Sequence, residues 1–100
     1  VPLKETKQRR ENRERRKLTF NETRELATLP EEIEVMEEEK SRLIATINSP
    51  EFYASRDRQK IYAVNEQLKN LEDDLERAYL RWEELENRAL RYRTVNDDSL

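Results

Sequence analysis

The chain has 100 residues, 43% of them charged, with three prolines and no glycine, cysteine or histidine. That composition excludes a disulfide framework, a thiolate metal site, serine–histidine or cysteine–histidine catalysis, and a glycine-built phosphate loop. It matches long helices rather than an average globular domain. The net charge of −3 hides an asymmetry. Residues 1–17 hold eight Lys or Arg against three Glu, whereas 18–100 hold twelve against twenty. A basic arm therefore leads into an acidic body.

Residues 1–17 carry almost no apolar content and are expected to be a basic flexible linker. Thr19-Phe20-Asn21-Glu22 fits a capping box, with Thr19 as N-cap and Glu22 reaching back. A short helix is predicted over 20–29. Proline disfavours helix in the residue before it and suits a first helical turn, so Pro30 is expected to break this helix from a second one over 31–48. Asn48-Ser49-Pro50 ends the second helix, and 49–56 is expected to be a turn. The last helix is predicted over 57–92, followed by a polar tail at 93–100. The folded domain then spans 18–92.

Apolar spacing is the strongest signal. Ile61, Val64, Leu68, Leu71, Leu75, Ala78, Trp82, Leu85 and Ala89 step by three and four without a break. Leu26, Leu29, Ile33, Met36, Lys40, Leu43 and Ile47 do the same, with Lys40 the one polar member. Such a seam has a period of about 3.5 residues and marks paired coiled helices. The short turn makes the pairing antiparallel and intramolecular. The expected fold is thus all-α, an antiparallel two-stranded coiled-coil hairpin, monomeric. Ile47 faces Ile61, Ile33 faces Leu75, Leu26 faces Trp82, and Phe20 falls near Leu85 and Ala89.

No apolar run approaches the ~20 residues that cross a bilayer, and no signal-peptide pattern is present. The expected location is cytoplasmic, with no membrane partner. The chain starts at Val1 and not at Met, so it is expected to be part of something longer.

No catalytic or metal-binding constellation emerges, and no cofactor is expected in this chain. Glu37, Glu38 and Glu39 point in different directions around a helix and read as a solvated face. Trp82 occupies the seam and reads as core; Tyr62 and Tyr79 flank it and fit either a packing or a binding role. Phe52 and Tyr53 lie at the hairpin tip, where they can plug the core or contact a partner. Lys40 reads as a register-setting polar residue reaching towards Glu72. Arg77, Arg81, Arg88 and Arg91 form a stripe on the last helix. With Arg9, Arg10, Arg13, Arg15, Arg16 and Lys17 they are the candidate phosphate contacts. The same arginines also fit ordinary helix ion pairs with Asp73 and Glu84.

The run from Lys17 to Pro30, with Arg24-Glu25-Leu26 and Leu29-Pro30, resembles the opening of one known domain. The likeness continues through Ser49-Pro50-Glu51-Phe52-Tyr53 and closes on Arg81-Trp82-Glu83-Glu84-Leu85-Glu86. It covers residues 17–86 and is similar to the C-terminal domain of Uup-type ABC-F ATPases. The resemblance implies a parent chain with two upstream ATP-binding cassettes, which would hold ATP and Mg and do the chemistry. It implies soluble ATPases linked to translation on the ribosome and, in the Uup branch, a coiled-coil hairpin that binds DNA. Two functions follow as expectations: a module binding DNA or ribosomal RNA non-specifically through phosphates, or a protein-interaction module docking on the parent ATPase cassettes or the ribosome.

Overall fold

The computed structural model describes residues 17–98, and side chains through residue 93. Among the described residues three helices follow one another: α1 Phe20–Asn48, α2 Pro50–Ala54 and α3 Arg58–Asp98. There is no strand among the described residues. The chain divides into two compact units, one of residues 17–28 with 81–98 and one of Leu29–Leu80.

The first unit opens on the capping box that the sequence spells out. The Glu22 backbone N–H donates to Thr19 Oγ1 at 3.1 Å, and the Thr19 N–H donates to Glu22 Oε1 at 2.9 Å. Two N–H groups that the first turn leaves without helical partners are satisfied reciprocally. Here the start of α1 runs antiparallel to the end of α3, because Glu25 meets Arg81 while the earlier Glu22 meets the later Arg88. Antiparallel pairing of Leu26 with Trp82 places Glu25 opposite Glu83 and Glu22 opposite Glu86; Arg81 and Arg88 lie two residues to either side of those positions, so the two ion pairs bracket the expected register. Leu85 is fully enclosed, and Leu26, Trp82 and Ala89 are half-buried.

In the second unit, Leu29–Asn48 of α1 and 58–80 of α3 form a helical hairpin. Leu29, Ile33, Leu71 and Leu75 are buried along it, and Phe52 from α2 is buried at its closed end. The remaining seam positions, Met36, Lys40, Leu43, Ile47, Ile61, Val64, Leu68 and Ala78, are all half-buried. Two polar contacts join the helices: Tyr79 Oη donates to Glu37 Oε1 at 2.9 Å, and Gln67 Nε2 donates to Glu39 Oε1 at 3.4 Å. Two of the three consecutive glutamates thus serve the helix pairing rather than a plain solvated face. Lys40 forms no ion pair with Glu72.

The turn is more structured than the sequence suggests. Pro50 opens the short α2, whose fixed φ suits the first helical position. Arg56 then takes a left-handed backbone, φ 54°, and its N–H donates to the Tyr53 carbonyl at 3.1 Å. A glycine usually fills such a position, and this chain has none. Asp57 caps α3, accepting the Lys60 N–H at 3.1 Å on Oδ1.

Three expectations are corrected. Pro30 does not break the helix: α1 is continuous from Phe20 to Asn48 with the proline inside it. The ring removes one N–H donor and crowds the preceding turn, yet Leu29 and Ile33 beside it are both buried, and their burial is kept only if the helical phase continues. Phe20 does not reach the core; it is 76% exposed, with the Arg24 guanidinium 5.8 Å from its ring centre. Stepping back from Leu26 in unbroken helical phase lands on Glu22, not Phe20, so the carboxylate occupies the inward position. Finally, α3 runs to Asp98, beyond the predicted end at 92. The expected linker at 1–17 lies outside the described residues except for Lys17.

Candidate nucleic-acid interface

The arginine stripe divides into two kinds of residue. Arg88 is buried, 5% exposed. Its Nη1 and Nη2 donate to Glu22 Oε2 and Oε1 at 2.5 and 3.2 Å, a fork-to-fork pair. Arg81 is half-buried and forks onto Glu25 in the same way, with Nε at 2.7 Å and Nη2 at 2.9 Å, while its Nη1 donates to Glu84 at 3.1 Å. Arg81 Nη2 also lies 3.9 Å from Glu22 Oε2, so Glu22 links the two guanidiniums.

This cluster holds two cations and three carboxylates and offers no net positive charge to a phosphate. Its electrostatics are those of a lock. The Arg88 hydrogen bond, helped by the Thr19 backbone N–H, pulls the Glu22 carboxyl down to about 2. The Arg81 hydrogen bond lowers Glu25. The Arg81 guanidinium is raised in turn, first by Glu25. Both Arg88 Nε and Trp82 Nε1 are buried with no hydrogen-bond partner among the described residues.

The other candidates sit differently. Arg77 is exposed and pairs with Asp74 one turn back, an arrangement worth little in water. Arg91 and Lys17 are exposed. Arg9, Arg10, Arg13, Arg15 and Arg16 lie outside the described residues. Of the two tip aromatics, Phe52 is 4% exposed and closes the core, whereas Tyr53 is 53% exposed and meets Phe52 edge-on at 5.0 Å. Sequence reasoning passed over the cations that follow Tyr53 in the chain. Arg56, Arg58 and Lys60 are all exposed, and Tyr62, 68% exposed, follows them. The signal was present as alternate basic residues between two tyrosines, but the arm and the α3 stripe are richer in charge and drew the reading there.

Elsewhere, Glu31, Glu32, Val35 and Met36 line a shallow groove. No group of His, Cys, Asp and Glu among the described residues could hold a metal ion. No helix among them is long and apolar enough to cross a membrane.

Residues 17–87 match the family model of the ABC transporter C-terminal domain. The chain belongs to that family. The match begins at the capped start of α1 and ends one residue before Arg88, so it takes in all of α1 and α2 and most of α3. No curated protein and no solved structure matches the chain. As an ABC transporter C-terminal domain, the chain is a module of an ABC protein.

Proposed function

We propose that this domain binds nucleic acid, DNA or ribosomal RNA, through phosphates and without reading sequence, as the C-terminal module of a Uup-type ABC-F ATPase. The observation that carries the reading is charge segregation: eight Lys or Arg within residues 1–17, directly before the capped start of α1. Phosphate contacts position a protein without specifying bases, and their strength falls steeply with salt as counterions are released. The motif likeness through Arg81-Trp82-Glu83-Glu84-Leu85 supports the ABC-F branch. ATP hydrolysis, with its Mg, would belong to cassettes elsewhere in the parent chain, and the setting would be cytoplasmic. In this reading Lys17, Arg77 and Arg91 remain further candidate phosphate contacts, while Arg81 and Arg88 hold the helices together.

A second reading, docking on the parent cassettes or on a ribosomal protein, draws on the exposed Val35 and Leu80, 59% each. Apolar side chains left in water on a helical surface are candidate contact points for a protein partner.

Titration of labelled duplex DNA and matched RNA, with the full chain and with a form lacking residues 1–17, separates the two. Salt-sensitive binding that collapses without the arm supports the first reading. No binding at low salt ends it for this domain and leaves docking.

A further inference from the structure

The closed end of the Leu29–Leu80 hairpin combines cations and exposed rings in a way neither helix pairing nor capping uses. Arg56, Arg58 and Lys60 are exposed, and no ion pair among the described residues engages them. The two carboxylates within this turn are otherwise employed. Asp57 caps α3 through the Lys60 N–H, and Glu51 Oε2 accepts the Ser49 hydroxyl at 3.0 Å. Tyr53 and Tyr62 are 53% and 68% exposed. The Arg56 N–H on the Tyr53 carbonyl ties that cation to that ring's turn. Arg58 and Tyr62 are four residues apart on α3 and share one face. Local folding thus sets three cations and two rings around a single turn.

Resting on the nucleic-acid reading above, we propose that this tip is a contact for single-stranded nucleic acid, with Tyr53 and Tyr62 stacking on bases and Arg56, Arg58 and Lys60 holding phosphates. Bases in a duplex are already stacked and offer no face to a protruding ring. An unpaired strand offers one at every nucleotide, and such stacking tolerates any sequence. An acidic protein surface would satisfy the three cations but would have no use for the rings.

The test uses the full chain with a labelled oligothymidylate and a labelled duplex of the same length, at low and near-physiological salt. Tyr62→Ala is the decisive variant, because Tyr62 makes no ring contact among the described residues. Tyr53→Ala is the second, with helicity checked because Tyr53 leans on Phe52. Each is expected to weaken single-strand binding about tenfold and to leave duplex binding within about twofold, as phosphate contacts do not involve the ring. Replacing Arg56 by Asn, which tolerates the left-handed backbone, together with Arg58→Ala and Lys60→Ala, should lower the single-strand salt slope by about two. Equal losses on both probes for the tyrosine variants would overturn the proposal. So would displacement of the oligothymidylate by polyglutamate as effectively, charge for charge, as by unlabelled strand. If tip variants change nothing while loss of the arm abolishes binding, the tip proposal falls and the nucleic-acid reading stands. If the unaltered chain binds neither probe at low salt, both fall.

Discussion

Glu22 holds Arg88 across two helices, at 2.5 and 3.2 Å, while the same carboxylate accepts the Thr19 N–H that opens α1. Helix capping and helix pairing therefore meet in one side chain. A guanidinium that spacing alone assigns to a phosphate-binding stripe is instead enclosed beside its partner. That arrangement sets what substitutions and acid should do to the fold.

Removing one member of a buried ion pair leaves the other uncompensated, whereas replacing both with apolar groups of similar size is often neutral or stabilising. Glu22→Ala also removes the reciprocal cap. It should cost about 2–3 kcal/mol, read as a lower urea midpoint with an unchanged slope. Arg88→Met should cost a similar amount. The double variant Glu22→Leu, Arg88→Met should recover part of the loss, giving a double-mutant cycle that departs clearly from additivity.

Acid should act on the same pair. The Glu22 carboxyl lies near 2 in the folded chain, against 4.5 ordinarily. Because the folded value is depressed, its contribution is fully present above 4.5 and is lost as pH falls from 4.5 towards 2. Glu25, also lowered, adds to the same fall. Thermal unfolding followed by circular dichroism should show a midpoint that drops across this window. Glu22→Gln should flatten the drop while lowering the midpoint at neutral pH.

Pro30 sits inside α1 and not at a joint. An interior proline forfeits a hydrogen bond and strains the preceding turn. Pro30→Ala should raise stability by about 1–3 kcal/mol. A loss of stability would mean that the ring's fixed geometry is needed there.

Leu85 has no exposed surface. Leu85→Ala should destabilise by about 2–4 kcal/mol, measured by urea unfolding, whereas Leu90→Ala, at a 58% exposed position, should change stability by less than about 0.5 kcal/mol.

The seam was legible because apolar steps of three and four have one physical meaning: every predicted seam residue is buried or half-buried. Thr19 and Glu22 were legible as a cap because both partners lie within one turn. Pro30 was misread because a proline's local preference says nothing of the Leu29 and Ile33 burial that holds the helix together around it. The carboxylate partners of Arg81 and Arg88 escaped the sequence for a related reason. Their partners, Glu25 and Glu22, lie 56 and 66 residues away, and spacing along one helix does not register a partner on the other. The clue was available, since pairing Leu26 with Trp82 already brings Glu25 to within two residues of Arg81 across the pair, inside the reach of a long guanidinium side chain. The tip cations were missed because charge was weighed by density along the chain. That no ion pair among the described residues engages them shows only in the structure, where Asp57 caps α3 and Glu51 accepts the Ser49 hydroxyl.

Nuclear magnetic resonance can map the nucleic-acid contact on the protein residue by residue. Backbone amide, arginine Nε–H and Trp82 indole resonances would be followed while an unlabelled oligonucleotide is added to the full chain at low salt. Binding as proposed should shift the arm and Lys17, Arg77 and Arg91, and the stretch Arg56–Tyr62, with the Arg88 Nε–H and the Trp82 indole unmoved. Shifts centred on Arg81 and Arg88, or no shifts anywhere, would contradict it.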